Sequence, residues 1–344
     1  MHRADMLPQR DGGVSGERLV CGPNWLGDGI MAMPAVERLV RREPDVPVTV
    51  LVRPHMAPLW SMLDGLQGVQ TVRSGTSRTA RDLRRAGFAE AFILPNSFRS
   101  AFVPLLAGIP RRRGAAGHWR RWMLTEVVAP ARGGAPVHQA EEVARILDVA
   151  DPAGIAGQLP RLAVPESARR ECEDLLHGAT GPVVLFPGAA RGASKRWPVS
   201  HFETVGRRLA CDGGVPVVVA GSEAERPLCE ALAAGIGPGA SSLAGRASLP
   251  VTAALLQQAR CVVGNDSGGV HLAAALGARV VVLFGLTDPR ITRPLGQGHV
   301  ILQPPGVAKA GRDIPRESAA AQSALAAIRP ETVMDALHRL PGVL

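Results

Sequence analysis

Two loops in this chain set an acid beside glycines, and a third carries adjacent cations. Gly264-Asn265-Asp266-Ser267-Gly268 follows the short apolar run Cys261-Val262-Val263 and precedes an Ala- and Leu-rich stretch, residues 270–276, closed by Gly277. A short apolar, β-branched run is what a strand buried on both faces of a parallel sheet looks like, and the Ala-Leu stretch favours helix. A glycine just past the last helical residue is a usual stop. A strand passing through Asp-Ser-Gly into a helix turns the first free N–H groups of that helix toward any anion lying there. The chemistry this suits is the binding of a nucleotide diphosphate. Asp and Ser are also ordinary N-caps, so the same residues could do no more than start a helix. His271, in the first helical turn, is of a type more often packed or water-bonded than a ligand.

The second acid is Asp28, in Gly22-Pro23-Asn24-Trp25-Leu26-Gly27-Asp28-Gly29. This loop follows an expected strand at 18–21 and precedes an expected helix at 30–41, and its glycines let backbone come close to a ligand. Taken alone, Asp28 reads sooner as a cap than as a catalyst. The spacing is not G-x-G-x-x-G, which disfavours a nicotinamide dehydrogenase, and no G-x-x-x-x-G-K-[ST] occurs in the chain. The cations are Lys195 and Arg196, in the long loop 187–198 that follows an expected strand at 183–186. Gly221-Ser222-Glu223 ends another, at 215–220.

The elements that must position these loops alternate along the chain. Strands are expected at 18–21, 48–52, 91–94, 183–186, 215–220, 261–263 and 280–284. Helices are expected at 30–41, 56–63, 141–149, 167–177, 201–210, 224–234, 251–259, 270–276 and 331–339. Strand–helix alternation in both halves predicts an α/β protein of two Rossmann-like, doubly wound domains facing each other across a cleft. The stretch 157–165, with two prolines and little periodicity, reads as the linker. The expected division is a disordered lead-in at 1–16, one domain at 17–160, a second at 161–330 and a closing helix at 331–344. All the chemistry-bearing loops follow strand carboxyl ends.

At 344 residues, two domains of ordinary size are the natural reading. A hydrophobic content of 46% with 20% charged residues is that of a globular protein, and 3% aromatics is sparse. Five scattered cysteines without a C-x-x-C pair fit neither a zinc site nor a disulfide framework and suit a reducing cytoplasm. The lead-in lacks the apolar core of a signal peptide, and the most apolar stretch, 270–286, is broken by His271 and Arg279, so any membrane contact is expected to be peripheral. A formal charge of +9 points to an anionic partner. Residues 111–122 hold five arginines and two tryptophans, a set that could grip phosphates, sit at a lipid headgroup boundary or simply be a solvated basic face.

Four stretches together carry a family likeness: NWLGDGIMAMPAVERL, LPNSFRSAFVPLLAGIPRRRG, PGAARGASKRWPVSHF and NDSGGVHLAAALGARVVVLFGLTDP. In this order and spacing the chain resembles the lipopolysaccharide heptosyltransferases of glycosyltransferase family nine, the second and third stretches being those of the heptosyltransferase II branch. The resemblance implies a GT-B fold, an acceptor-binding first domain and a second domain that binds ADP-L-glycero-D-manno-heptose. It further implies inverting transfer onto a heptose of the inner core, with no metal and no other cofactor. Carried over by motif, Asp28 is the base, Lys195 serves the diphosphate, Asp266 holds the donor sugar, and Ser267, Gly268 and His271 surround the diphosphate. Ser194 and Glu223 match positions lining the donor pocket, the latter near the ribose. Asn96, Ser97, Arg99 and Arg120 fall on the acceptor side.

The partners so implied are a phosphorylated lipid A–Kdo–heptose acceptor and the inner leaflet of the cytoplasmic membrane, without nucleic acid. The 303–326 loop is poorer in polar residues than is usual in the family, and a cysteine cluster carried by some relatives is missing. Two other readings stand beside this one. One is a GT-B glycosyltransferase with a different nucleotide sugar or acceptor. The other is a non-catalytic protein binding RNA or an anionic surface, for which base-stacking aromatics are few.

Overall fold

The structure, a computed structural model, describes residues 16–117, 119–130, 135–306 and 314–343. The expected lead-in up to residue 15, His118 of the arginine-rich stretch and residues 307–313 of the polar-poor loop lie outside them.

The first half runs β1 (Arg18–Cys21), α1 (Leu26–Arg42), β2 (Val48–Val52), α2 (Ala57–Trp60), β3 (Gly68–Thr71), α3 (Thr76–Ala86), β4 (Glu90–Ile93), α4 (Phe98–Ala107), β5 (Arg111–Ala115), β6 (Glu126–Val128) and α5 (Gln139–Ile146). Its six parallel strands lie in the order β3-β2-β1-β4-β5-β6, with Val20 of β1 opposite Val50 on one side and Phe92 on the other. The second half runs α6 (Glu166–Leu176), β7 (Val183–Phe186), α7 (Val199–Arg207), β8 (Val217–Val219), α8 (Arg226–Ile236), β9 (Ala240–Ser242), α9 (Leu249–Gln258), β10 (Cys261–Asn265), α10 (Gly268–Ala275), β11 (Val280–Leu283), α11 (Pro289–Thr292), β12 (Val300–Leu302), α12 (Ala319–Ala326) and α13 (Pro330–Arg339). Its sheet, β12-β11-β10-β7-β8-β9, is also wholly parallel and repeats the same winding. Each sheet therefore reverses strand order once, between β1 and β4 and between β7 and β10. Ligands of open α/β sheets settle at such reversals, outside the carboxyl ends.

The central strands are buried throughout, as apolar β-branched runs covered on both faces must be. Each such Val or Leu contributes roughly 1.5–3 kcal/mol relative to exposure, which outweighs the weak pattern information in strands this short. Helix α1 buries Ile30, Met31, Met33, Ala35, Val36 and Leu39 and packs on α5 of its own half and on α10 of the other. One apolar cluster consequently runs from Val20 and Ile30 through to Leu272 and Val282, tying the two sheets together.

Several elements differ from the sequence expectation. Residues 56–63 are not one helix: a 3₁₀ turn at Pro54–Met56 leads into the single turn of α2, and Leu63 then bridges Leu162. The edge strand β3, GVQT, is only half-buried, and α3 is dominated by Arg78, Arg81, Arg84 and Arg85, with a buried stripe of Thr79, Ala80 and Leu83 that holds one large apolar side chain. The largest departure is β5, RRRGA, where the start of the basic stretch proves to be a sheet strand between β4 and β6. Arg111 is exposed, but Arg112 and Arg113 are half-buried and bond inward. Arg112 Nε donates to the Met123 carbonyl at 2.7 Å, and Arg113 Nε donates to the Ile146 carbonyl at 2.8 Å while its guanidinium pairs with Glu126 and Asp148.

Candidate active site

The acid of each loop sits at the start of a helix, and the two helices touch. Asp28 lies in the first turn of α1 after β1, and Ser267 is the N-cap of α10 after β10, its hydroxyl making no capping bond. Glycines at both starts allow the approach. A β-carbon on Gly268 would stand 2.7 Å from Leu26 Cβ, and one on Gly27 would stand 3.0 Å from His271 Cδ2. Between the halves opens a cavity of about 730 Å³, large enough for a nucleotide sugar. Asn24–Asp28, Arg53 and His55 line it from one side, and Gly188–Arg191, Lys195, Glu225, Asp266–Gly269 and His271 from the other.

The cationic loop is stapled to the acidic one. Asn265, fully buried at the end of β10, accepts from the Trp197 backbone N–H at 2.8 Å and donates to the Pro187 carbonyl at 2.8 Å. The Trp197 indole is buried and donates to the Ile328 carbonyl at 2.8 Å. Thus held, the 187–197 loop delivers Lys195 onto the Asp266 carboxylate as an ion pair with little exposure on either side. Thr287 Oγ1 donates to the same Asp266 oxygen at 3.2 Å, and His271 Nε2 lies 3.5 Å from the other. Burial by itself would raise the Asp266 carboxyl, but the Lys195 ammonium and the His271 ring overcome it and hold the group well below the ordinary carboxylate range. The carboxylate is therefore charged at any working pH. Lys195 has three donors, so it can serve this carboxylate and a second anion together. The open N–H groups of α10 add a further site for negative charge.

Six residues singled out from the sequence line this one cavity: Asp28, Lys195, Asp266, Ser267, Gly268 and His271. Others do not. Ser194 is buried beside it, and its hydroxyl accepts from the Ser318 backbone N–H at 2.7 Å, so it anchors the chain before α12 instead of facing a ligand. Glu223 is exposed and pairs with Arg226 at 3.7 Å on the surface, while Glu225 two residues on turns into the cavity wall. A capping box explains the swap: Ser222 N and Oγ both donate to Glu225 Oε2, at 2.9 and 2.7 Å, fixing that side chain over Gly188 and Gly221. Arg120, placed by the sequence among acceptor-binding residues, is fully buried. It donates to the carbonyls of Ala115 and Pro95, to Ser100 Oγ at 3.1 Å and to Asn96 Oδ1 at 3.1 Å, holding two loops together. Asn96, Ser97 and Arg99 are exposed on the loop after β4 and the first turn of α4, outside the cavity lining.

Arg53, His55, Trp25 and Arg191, none of them expected from the sequence, also line the cavity. Arg53 and His55 follow the carboxyl end of β2, the same rule that picked out the other loops, and His55 Nε2 sits 3.1 Å from the Asn24 carbonyl of the Asp28 loop. The Arg191 guanidinium stands 5.8 Å from the centre of the Trp25 ring, a cation–π contact from one half to the other. No local pattern announces that contact, because the partners are 166 positions apart in the chain.

Nucleophilic thiols are not part of the site. Burial pushes the Cys21, Cys229 and Cys261 thiols up to about 12, and none of the five cysteines lines the cavity. Among the described residues, no group of three or more His, Cys, Asp or Glu side chains is placed to hold a metal ion, and no helix is long and apolar enough to cross a membrane.

A profile of glycosyltransferase family 9 (heptosyltransferase) matches residues 76–312. Lipopolysaccharide heptosyltransferase 2 of Escherichia coli K12 is 32% identical over 346 positions, covering 94% of this chain and 97% of its own. Lipooligosaccharide heptosyltransferase 2 of Haemophilus ducreyi is 28% identical over 83% of this chain and 88% of its own. Among solved structures, Escherichia coli ADP-heptose lps heptosyltransferase II superposes with a TM-score of 0.81 at 27% identity, covering 94% of this chain and 98% of that one. The glycosyl transferase family 9 protein of Veillonella parvula superposes at 0.80 with 18% identity over 94% and 97%, a likeness of fold. The chain belongs to glycosyltransferase family 9 and is a glycosyltransferase of the two-lobed GT-B fold.

Proposed function

We propose that this enzyme moves L-glycero-D-manno-heptose from ADP-heptose to a heptose hydroxyl of a phosphorylated lipid A–Kdo–heptose acceptor, with inversion at the anomeric carbon. The observation that carries the reading is the meeting of Asp28 from one sheet with the Lys195–Asp266 pair from the other around a single cavity. In this reading residues 17–160 bind the acceptor and 161–330 the donor. Asp28 takes the proton of the attacking hydroxyl as the new glycosidic bond forms. The bond to the diphosphate breaks, and ADP leaves with its growing charge met by the Lys195 ammonium and the α10 N–H groups. Asp266, held as an anion, orients Lys195 and accepts hydrogen bonds from the donor sugar. Glu225 takes the place near the ribose that sequence reasoning assigned to Glu223.

Fixed cations and N–H groups at the leaving diphosphate supply the charge stabilisation that a divalent ion provides elsewhere, which supports turnover without metal. Asn96, Ser97 and Arg99, on the carboxyl edge of the first sheet, would meet the acceptor. A lipid-borne acceptor also implies work at the inner face of the cytoplasmic membrane, in keeping with the formal charge of +9.

The test supplies purified enzyme with ADP-heptose and heptosyl-Kdo-lipid A, following ADP release and the mass of the acceptor. The expected result is ADP released in step with a mass gain of one heptose, unchanged by EDTA. ADP released without that gain, or transfer only from another nucleotide sugar, would overturn the reading.

A further inference from the structure

We infer that Phe98, Trp119, Arg121 and Trp122 form a platform by which the enzyme docks on an anionic lipid bilayer, with its cleft turned toward that surface. Three large aromatic side chains stand out of the first half together: Trp119 is 92% exposed, Trp122 65% and Phe98 47%. They are not loose. Phe98 stacks on Phe102 at 5.8 Å between ring centres and meets Trp122 at 6.5 Å. Beneath them the buried Arg120 binds the loop after β4 to the loop after β5 through the carbonyls of Pro95 and Ala115 and the side chains of Asn96 and Ser100. Trp119 sits at φ 57, a left-handed conformation that is uncommon for a bulky residue, so the fold displays this ring at a conformational cost. An exposed aromatic cluster on a braced base is a docking surface by its physics, since solvation of these rings is unfavourable and, among the described residues, nothing buries them.

Charge decides the occupant. From Ala91 to Thr125 the sequence holds six arginines and neither Asp nor Glu. The structure draws Arg112, Arg113 and Arg120 into internal bonds, leaves Arg111 exposed at the far end of β5, and leaves Arg99 and Arg121 exposed beside Phe98 and Trp122. Trp rings at headgroup depth with guanidinium groups among phosphates make up the composition of an interfacial anchor. The place agrees. In a parallel sheet the loops after β4 and β5 emerge on the same edge as the loop after β1 that carries Asp28. Those strands are first and second neighbours of β1, roughly 5 and 10 Å along the edge. A platform there brings the acceptor side of the cleft to the membrane. In this last step, though not in the existence of the platform, the inference rests on the proposed lipid-borne acceptor.

The test separates docking from turnover. Wild-type enzyme and a Trp119→Asn/Trp122→Ser variant are sedimented with vesicles of phosphatidylglycerol and phosphatidylcholine, and with phosphatidylcholine alone, without any acceptor. Asn suits the left-handed position, so the variant relieves backbone strain and does not threaten the fold. Wild type is expected to bind the anionic vesicles, the double variant at least about tenfold more weakly, and Arg121→Glu at least roughly fivefold more weakly. On a deacylated, water-soluble acceptor all three should turn over alike. Indifference of wild type to vesicle charge, or full vesicle binding by the double variant, would overturn the platform. So would a wild-type dimer that the two substitutions dissociate, which would assign the face to a second copy. Lost turnover of the double variant on the soluble acceptor would assign the rings to the sugar instead. Failure of every form to transfer heptose, with vesicle binding intact, would count against the proposed reaction and leave the platform standing.

Discussion

Gly27 of the first half faces the imidazole of His271 in the second so closely that a β-carbon on it would lie 3.0 Å from the ring. The contact is reciprocated by Leu26, which fills the space over Gly268 where a β-carbon would meet it at 2.7 Å. The two acid-bearing loops are thus keyed to each other by missing side chains. Gly268→Ala is expected to force the loops apart by tenths of an ångström. A stability loss of about 1–3 kcal/mol is expected from overpacking, with a larger fall in kcat as acceptor and donor lose alignment. Urea titration alongside single-turnover transfer checks this, and an unchanged kcat would show that the loops need not touch.

Asp28→Asn keeps the shape of the loop and removes a proton acceptor. Turnover is expected to drop by about 10²–10⁴-fold while ADP binding by calorimetry stays within a factor of a few. A variant that loses ADP binding equally would move Asp28 from chemistry to donor recognition.

Removing either member of the Lys195–Asp266 pair has unequal consequences. Lys195→Ala strands a buried carboxylate and is expected to cost on the order of 3–5 kcal/mol, together with donor affinity; Asp266→Asn leaves a cation that reaches the cavity and costs less. Because Asp266 titrates well below the usual carboxylate range in the folded protein, the stability it contributes is present above its unfolded pKa of about 4. That stability is lost as pH falls through and below that value. Thermal melts of the wild type beside both variants from about pH 2 to 7 measure this, and equal losses in the two variants would mean that the pair is not the buried unit described.

Glu225 and Glu223 are two residues apart and should behave differently. Glu225→Ala is expected to weaken ADP binding about tenfold through a lost charge-assisted contact and to unfix the start of α8. Glu223→Ala, on an exposed face, should change stability by less than about 0.5 kcal/mol and binding not at all. The reverse order would restore the assignment made from sequence.

His138 ties the halves at another point and carries a pH dependence. Its Nε2 lies 2.9 Å from the Arg293 carbonyl, and its Nδ1 accepts from the Ala140 N–H at 3.2 Å, so the neutral ring caps α5 and reaches the second half at once. Burial, against a smaller opposing effect of the Arg293 bond, lowers its pKa to about 4. The unfolded chain takes up the proton first, near pH 6.5, so stability is full above that pH and declines between about 6.5 and 4, by on the order of 3 kcal/mol in all. Denaturation at pH 7.5 and 5.0 checks the slope, which His138→Asn should flatten.

Strand–helix alternation, the buried apolar runs and the rule that ligands lie beyond strand carboxyl ends were legible in the sequence. All three are local properties that a short window of residues carries by itself. The loops that bring Asp28, Lys195 and Asp266 to the cavity could be found that way, because each follows a recognisable strand; the roles of these residues and of Ser267, Gly268 and His271 came from the family resemblance, since the local pattern alone fits a helix cap or a packed side chain as well. The arginines of β5 could not be placed. Whether a guanidinium meets water or a carbonyl depends on which strand lies beside it, and the Met123 and Ile146 carbonyls that hold Arg112 and Arg113 come from other parts of the chain. Only the tertiary structure turned Arg120 into a buried staple, chose Glu225 over Glu223 and brought Trp25 to Arg191, for burial and orientation are set by neighbours distant in sequence.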